Sequence, residues 1–424
     1  MVSRRGRGLR VLRRLGLRFA LLYPILYALP FPFDLVPPAE SAVEGYGERQ
    51  AQVASWFGRL LLGVRVDAAS PMTGSGDRAI DYLIVFTVAT LALVGAAIWT
   101  AAVRHDRQDA RLASLVRVFL RYAMAFTMLS YGLAKVYESQ FPAPNDAWLS
   151  TRYGDGSPMR LLWTFMGASR PYSMFAGVLE CLAGVLLLWR RTTTLGALVM
   201  AGVMLNVLML NLCYDVPVKQ YAAHLVVFAV VLAGPDLGRL ASVLIWNRPT
   251  TPRPPRPPLP RRWMERGRLA AKAVVIVGGI YVVHSESPRR EVPPELRPYQ
   301  AAFTVEEFRQ AGAEVTTGSR WAGWYPSWPG SLVIEQVDGQ RLRFAIAADT
   351  ATSTVTLTPF TPAGGEATTP PPSQVLQATW TDADHLILLG VLDGVVTEVH
   401  LRRREPWKLT TRGYHWVSPV PYNR

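Results

Sequence analysis

Cysteine and charge are both scarce in this sequence of 424 residues. It has only 2 cysteines, with no C-x-x-C motif and no Cys/His spacing typical of zinc, and only 18% of its residues are charged. A soluble globular protein has about a quarter of its residues charged, and a disordered protein has more. These shortages exclude a disulfide framework and argue against a thiol–disulfide oxidoreductase, a zinc enzyme or an ordinary soluble protein.

Half of the residues are hydrophobic, and seven long apolar segments predict an α-helical polytopic membrane bundle. A helix needs about 20 mostly apolar residues to cross a bilayer. No small-x-small cleavage site follows the first segment, so we expect an uncleaved anchor. The seven segments are centred on 15–36, 82–101, 112–136, 172–189, 193–213, 217–233 and 270–283.

Basic residues are distributed unevenly around these segments. If the N-terminus is cytoplasmic, the inner segments hold 19 Lys and Arg, and the two longer outer loops hold 7. By the positive-inside rule we expect an integral protein of the bacterial cytoplasmic (inner) membrane, with its C-terminal domain outside. The net charge of +14 then lies mostly at the inner membrane edge, so the expected partners are membrane lipids with anionic headgroups on the cytoplasmic side, not nucleic acid.

The sequence pattern divides the chain into five parts. They are two N-terminal helices with an outer interfacial loop (1–111), a four-helix membrane core (112–246), a basic Pro/Arg-rich cytoplasmic linker (247–269), a seventh helix (270–283) and an exported β-rich domain (284–424). Two further helices are expected to lie flat in the outer interface, one over 51–64 and one that begins at Ser157-Pro158 and ends at Gly167.

Alternation of side chains predicts a small antiparallel barrel or sandwich in the C-terminal domain. Strands are expected over 342–346, 386–392 and 395–401. Asp338-Gly339 and Asp393-Gly394 are typical of the tight turns of β-hairpins. Thr304 and Glu307 have the spacing of a capping box, which predicts a short helix ending near Gly312.

Ionisable and amide side chains within the predicted core indicate a polar pocket in the outer half of the membrane. A charged group in hydrocarbon costs a few kcal/mol, so those that remain usually face a cavity or a partner. Lys135 and Glu180 are predicted to pair, because an unpaired buried carboxylate would become neutral. Together with His224 they form the predicted catalytic set, and the candidate ligand-binding residues are Tyr131, Asn206, Asn211, Tyr214, Asp215 and Lys219.

A purely structural interpretation of these residues is also open. In it, Lys135 and Lys219 extend to the outer interface, Glu180 stays protonated, and the asparagines hold helices together. Arg117 and Arg121 are expected to anchor the third predicted helix near the inner headgroups.

Three motifs of the core resemble the DoxX family of small four-helix membrane proteins. Tyr131-Gly132-Leu133-Ala134-Lys135 resembles the G-x-x-K that ends the family's first helix. Glu180-Cys181-Leu182-Ala183-Gly184 resembles its second helix, and Gly234-Pro235-Asp236-Leu237-Gly238-Arg239 resembles the exit from its fourth.

The resemblance covers about residues 112–240 and implies a four-helix core. The best-described relatives in that family are membrane subunits of a thiosulfate:quinone oxidoreductase. By this resemblance, Lys135 and Glu180 belong to whatever site the core provides. The longer architecture distantly resembles membrane proteins related to the vitamin K-dependent carboxylase.

Two functions fit these residues. The first is a quinone-linked redox membrane subunit that binds a quinone or other isoprenoid, with Lys135 or His224 donating to a ring oxygen and Glu180 relaying a proton. A partner protein would supply the electrons, because the sequence has no haem-attachment, flavin or nicotinamide motif. The alternative is a non-enzymatic protein that binds lipid or organises a protein partner at the outer face. Whether the protein is an enzyme, and then an oxidoreductase subunit, is left open.

Overall fold

A computed structural model describes residues 4–35, 39–68, 75–103, 108–251, 261–285, 292–360 and 372–420. The chain divides into two compact units. Met1–Gln140 and Pro171–Ser287 form a helical unit, and Phe141–Arg170 and Pro288–Arg424 form a second unit built around a β-barrel. The predicted fold class, a helical membrane bundle with a C-terminal β domain, is therefore confirmed.

The helices are numbered in chain order. They are α1 (Arg4–Ala28), α2 (Glu40–Phe57), α3 (Ala79–Ala102), α4 (Asp109–Val136), α5 (Asp146–Leu149), α6 (Pro158–Ala168), α7 (Arg170–Leu188), α8 (Thr193–Cys213), α9 (Lys219–Leu244), α10 (Arg262–Ser285) and α11 (Lys408–Thr411). A short π-helical turn, Gly58–Leu62, extends α2. The Ser157 hydroxyl accepts a hydrogen bond from the backbone N–H of Arg160, as expected for the cap that begins α6.

Six helices in the described part of the chain are long and apolar enough to cross a membrane: Gly8–Leu35, α3, α4, α7, α8 and α9. The seventh predicted segment, 270–283, lies within α10. This helix begins earlier than expected, inside the predicted linker 247–269, and its charged residues all lie in its first half. Residues 252–260 of that linker are outside the described residues.

The core of the helical unit is apolar and centres on α4, α7, α8 and α9. Glycines let two of these helices approach closely. A Cβ atom on Gly132 of α4 would lie 2.6 Å from the Cys181 sulfur and 2.7 Å from the Gly177 carbonyl oxygen of α7. Close backbone contact through small residues is the usual way in which membrane helices associate.

The barrel has eight antiparallel strands. They are β1 (Phe303–Gln310), β3 (Trp321–Pro326), β4 (Ser331–Gln336), β5 (Arg341–Asp349), β6 (Thr354–Pro359), β7 (Gln374–Trp380), β8 (His385–Leu392) and β9 (Val395–Arg403), and the two-residue β2 (Ala313–Glu314) pairs with the end of β1. Consecutive strands pair in order, and β9 pairs with β1 to close the ring.

Both predicted hairpin turns are confirmed, and the predicted helix at Thr304 is wrong. Gly339 (φ 87°) lies between β4 and β5, and Asp393 and Gly394 (φ 49° and 84°) join β8 to β9. Thr304 and Glu307 belong instead to β1, whose Phe303, Val305 and Phe308 face the barrel core. The alternation of apolar residues, which a strand can bury and a helix cannot, outweighs the spacing of the capping box.

Candidate functional site in the helical unit

Lys135 and Glu180 form a buried ion pair. The Lys135 Nζ donates to Oε2 of Glu180 at 2.7 Å, and the two residues are only 6% and 2% exposed. Lys135 is the penultimate residue of α4, and Glu180 lies in the middle of α7. A contact this short between charged groups is among the stronger hydrogen bonds in proteins. The structure thus brings together the two residues predicted to form the centre of the pocket.

Two glycines position this ion pair. Gly132 lies three residues before Lys135, and Gly177 lies three residues before Glu180, so each glycine is about one helical turn from its charged residue. A Cβ atom on Gly177 would lie 2.9 Å from the Cβ of Lys135. Because each helix has a glycine at this crossing, the two backbones approach closely enough for the Lys135 side chain to contact Glu180.

Tyrosines extend the polar region from α4 towards α9. The Lys135 Nζ lies 5.7 Å from the centroid of the Tyr131 ring, and this ring lies 6.1 Å from the ring of Tyr221. Tyr131 is 41% exposed, whereas Lys135 and Glu180 are buried. The ion pair is therefore approached from the surface past Tyr131.

His224 lies in an aromatic cluster with residues of α1. Its Nε2 is 2.6 Å from the Tyr23 hydroxyl, its Nδ1 is 2.7 Å from the Gln220 carbonyl oxygen, and its ring stacks on Tyr27 at 4.1 Å. Since a carbonyl only accepts, Nδ1 carries the hydrogen and Nε2 accepts from Tyr23. A neutral imidazole satisfies both contacts.

The predicted ligand-binding residues fall into separate places. Tyr214, Asp215 and Lys219 belong to the turn before α9 and its first residue, where Lys219 pairs with Asp215 at 2.9 Å. Asp77 accepts from the backbone N–H groups of Lys219 and Gln220, so this turn is bound to the end of the α2–α3 connection. The structure therefore places these three residues in a network of loop contacts.

The two asparagines of α8 differ in environment. Asn211 is buried and donates to the Val218 carbonyl oxygen at 3.4 Å, which ties the end of α8 to the turn before α9. Asn206 is exposed on the surface of α8. Of the predicted set, only Lys135, Glu180 and Tyr131 lie in one cluster, and His224 belongs to a separate aromatic cluster with Tyr23 and Tyr27.

Sequence reasoning missed a second buried ion pair. The Arg18 guanidinium donates to both carboxylate oxygens of Asp109, at 3.1 and 3.3 Å, and to the carbonyl oxygens of Trp99 and Val103. Arg18 is fully buried and Asp109 is 2% exposed. The available signal was an arginine inside the first apolar segment, which had to have a partner.

The predicted headgroup anchors are bonded to neighbouring helices. Arg117 donates to the Leu232 carbonyl oxygen at 2.7 Å and lies 3.6 Å from Asp236 of α9. Asp236 also accepts from Thr194 of α8 at 2.7 Å. Arg121 is 9% exposed and lies 3.5 Å from the Thr193 hydroxyl. These arginines connect α4 to α8 and α9.

The arrangement around Lys135 is suited to holding and moving protons. An ammonium group, a carboxylate and two phenols are all able to donate or accept protons within a largely apolar core. Within the described ranges, no three His, Cys, Asp or Glu side chains are grouped so that they could hold a metal ion.

Comparisons with known proteins give one relationship. No family model and no solved structure matches the chain. The chain is 35% identical over 116 residues to the uncharacterized protein YwoB of Bacillus subtilis (strain 168), a match that covers 27% of this chain and 73% of that relative. On this similarity, the chain belongs to the same family as the uncharacterized protein YwoB.

Proposed function

We propose that the protein is a DoxX-like integral membrane protein that binds the polar head of a quinone or related isoprenoid in the outer half of its helical bundle. The observation that carries this proposal is the buried contact of 2.7 Å between Lys135 and Glu180. Keeping two charges in an apolar core is costly, and such groups commonly belong to a ligand or proton pathway. The half-exposed Tyr131 beside the ion pair provides a route by which a ligand would approach it.

In this proposal each residue has a distinct task. Lys135 and Tyr131 donate hydrogen bonds to a ring oxygen. Lys135 gives its proton to the reduced ring oxygen, and Glu180 takes up a proton from water and passes it to Lys135, so that each of the two protons is replaced. Reduction of a quinone to a quinol consumes two electrons and two protons. The residues of the pocket supply protons only, so a reduced partner protein is the source of both electrons.

The contacts of the second unit support a seventh membrane crossing by α10. Arg341 of β5 donates to the Ala147 carbonyl oxygen at 2.7 Å, so segment 141–170 and the barrel lie on the same side of the membrane. An even number of crossings must then separate them. Between them are the three candidate spans α7, α8 and α9, and α10, which at 24 residues is about 36 Å long, is the fourth.

The same reasoning supports the proposed orientation. Three spans, those of α1, α3 and α4, separate the N-terminus from segment 141–170. In the proposed topology, the N-terminus and the barrel lie on opposite sides. The excess of basic residues at the N-terminus supports a cytoplasmic N-terminus in a bacterial inner membrane, with the barrel outside.

A second candidate function is lipid binding or partner organisation without catalysis. It is favoured by exposed apolar side chains at the end of α2: Trp56, Leu60 and Leu61 are 56%, 61% and 51% exposed. Such a surface suits the outer interface of a bilayer. In this candidate, the Lys135–Glu180 ion pair serves to hold α4 against α7.

Mass spectrometry of small molecules extracted from protein purified in mild detergent tests the first candidate. The test variant is Lys135→Met with Glu180→Gln, and Asn206→Ala, which changes an exposed polar residue of α8, is the matched control. We expect a quinone or other isoprenoid with the native protein and the control but not with the double variant. Bulk phospholipid alone, in equal amounts in all three samples, would contradict quinone binding and favour the second candidate.

A further inference from the structure

A cavity of about 640 Å³ lies within the second unit, between segment 141–170 and the outer surface of the barrel. Its floor consists of side chains that point away from the barrel core. On β4 and β5, Val333 pairs with Arg343 and Glu335 pairs with Arg341, whereas the alternate residues, such as Phe344, are buried inside the barrel. The cavity is therefore separate from the barrel interior.

Hydrogen bonds and an aromatic contact hold segment 141–170 over this floor. Arg341 donates to the Ala147 carbonyl oxygen at 2.7 Å and to the Ser150 hydroxyl at 2.9 Å. The Trp407 Nε1 donates to the Asp146 carboxylate at 2.6 Å, and Trp148 packs edge-on against Trp328 at 5.9 Å. These contacts join segment 141–170 to the barrel at several points, so the two parts that line the cavity are held together.

Positive charge predominates in the lining. Four arginines (Arg152, Arg160, Arg341 and Arg343) and two acids (Asp155 and Glu335) border the cavity. Arg341 lies 3.4 Å from Glu335, and Arg160 donates to the Thr151 hydroxyl at 3.0 Å. Burial, reinforced by repulsion from Arg341 and Arg343, lowers the pKa of Arg160. The repulsion between these arginines is reduced when an anion enters the cavity.

We infer that this cavity is a binding site for a phosphate-bearing small molecule. Its volume falls in the range of about 300–1,000 Å³ that is typical of small-molecule sites. Guanidinium groups match the geometry of phosphate with two parallel hydrogen bonds, which favours phosphate over a simple point anion. The rings of Trp148, Trp328 and Phe360 also line the cavity and provide apolar surface for the body of the ligand.

Two sources of such a phosphate group are a lipid headgroup and a soluble phosphate ester. Arg160 is ten residues before Arg170, with which the candidate span of α7 begins. Because most of these residues are helical in α6, the two lie no more than roughly 20 Å apart. The site is thus within reach of the headgroup region of a membrane, and also open to a soluble ester.

Two binding measurements on the full-length protein in detergent test this site and distinguish the sources. Glycerol 3-phosphate, measured by calorimetry, probes the soluble source. Phosphatidylglycerol presented in equal amount with phosphatidylcholine, and counted by native mass spectrometry, probes the lipid source. Binding of either probe by the native protein, at one molecule per chain, is the expected result.

The test variant is Arg152→Ala with Arg343→Ala, which changes two exposed residues of the lining. The control, Arg309→Ala with Arg402→Ala, removes the same charge from exposed positions elsewhere on the barrel. We expect affinity to fall roughly tenfold or more in the test variant and to stay near the native value in the control. Equal losses in both variants, or no binding of either probe by the native protein, would overturn the inference.

Discussion

Helix α4 has a buried ion pair near each end, and the two differ in construction. At its first residue, Asp109 receives two hydrogen bonds from Arg18, whose guanidinium also binds the carbonyl oxygens of Trp99 and Val103 at the end of α3. At its other end, the Lys135 ammonium group donates to Glu180 at 2.7 Å. The first ion pair joins α1, α3 and α4, whereas the second joins α4 and α7.

The difference lies in what each cation is able to do. An arginine keeps its proton in proteins, and its planar group is held here by four hydrogen bonds, so it acts as a fixed structural element. A lysine has a compact ammonium group that gives up its proton more readily when buried. Burial alone therefore does not mark a functional ion pair. The type of cation distinguishes a structural pair from one suited to proton transfer.

The largest expected effect comes from removing the cation of the structural pair. Arg18→Met leaves the Asp109 carboxylate buried without its partner and the carbonyl oxygens at the end of α3 without their donor. We expect a loss of roughly 3–5 kcal/mol in the free energy of unfolding. Thermal unfolding in detergent measures it, with the exposed Arg13→Met of the same helix as the control. Similar melting temperatures for the two variants would contradict the structural role.

A smaller effect is expected at the Lys135–Glu180 pair, because Glu180 is able to take up a proton and become neutral when its cation is removed. Lys135→Met should cost about 3 kcal/mol or less, and adding Glu180→Gln should recover most of that loss. A double-mutant cycle on unfolding free energy measures the coupling. If the double variant is less stable than Lys135→Met alone, the ion pair is a structural element like Arg18–Asp109.

The close crossing of α4 and α7 at Gly132, beside the Lys135–Glu180 pair, predicts a loss of roughly 2 kcal/mol in the free energy of unfolding for Gly132→Ala. The added methyl group would meet the Gly177 carbonyl oxygen and the Cys181 backbone nitrogen at 2.7 and 2.8 Å, so the two helices must move apart. Gly202→Ala on α8 is the control, since a Cβ atom there has no neighbour within 4 Å. Melting temperatures compare the two, and an equal change in both would mean that the crossing does not depend on this glycine.

The smallest effect concerns an acid outside the membrane. Burial raises the pKa of Asp146 above its ordinary 3.8, although the Trp407 hydrogen bond and Arg404 oppose this. A carboxyl group whose pKa is raised by folding stabilises the folded state below 3.8, and this contribution is lost as the pH rises through the raised pKa. Asp146→Asn should therefore flatten the dependence of melting temperature on pH between about pH 4 and pH 7.

Asp349 provides a control of opposite sign. Hydrogen bonds from the backbone of Ala351 and the side chain of Thr352 lower the pKa of this exposed acid. Its contribution is present above pH 3.8 and is lost as the pH falls through the lowered pKa, so Asp349→Asn should leave the range above pH 4 unchanged. An equal change in both variants would mean that Asp146 does not titrate separately from the bulk of the surface.

Much of the architecture was predictable because it depends on local patterns. Long apolar segments predicted the helices, and the two Asp-Gly turns located the hairpins at 338–339 and 393–394, since only a few residue types adopt positive φ angles without strain. The capping-box spacing of Thr304 and Glu307 gave a wrong prediction of a helix, because this spacing contains no information on the burial of neighbouring residues. Closure of the barrel by β9 and β1 has no local signal at all.

The candidate site was predictable only where a buried charged side chain required a partner of opposite charge. Glu180 required a cation, and Lys135 was available at the right depth. Arg18 had the same requirement, but its partner Asp109 lies 91 residues away, at the first residue of α4 and before the apolar segment that predicted this helix. The environment of Asn206 depends on the rotation of α8 against its neighbours, which the nearly uniform hydrophobicity of that helix does not specify.

The pairing of β9 with β1 also sets an order of events during biogenesis. In the proposed topology, the barrel stays open until residues 395–403 have been translocated, and until then β1 and β8 each present an unpaired strand edge. Unpaired edges are templates for aggregation. Segment 141–170 is synthesised well before β5, so its contacts with Arg341 also form only after β5 has been translocated. The last strand of the barrel therefore closes two exposed edges at once, those of β1 and β8.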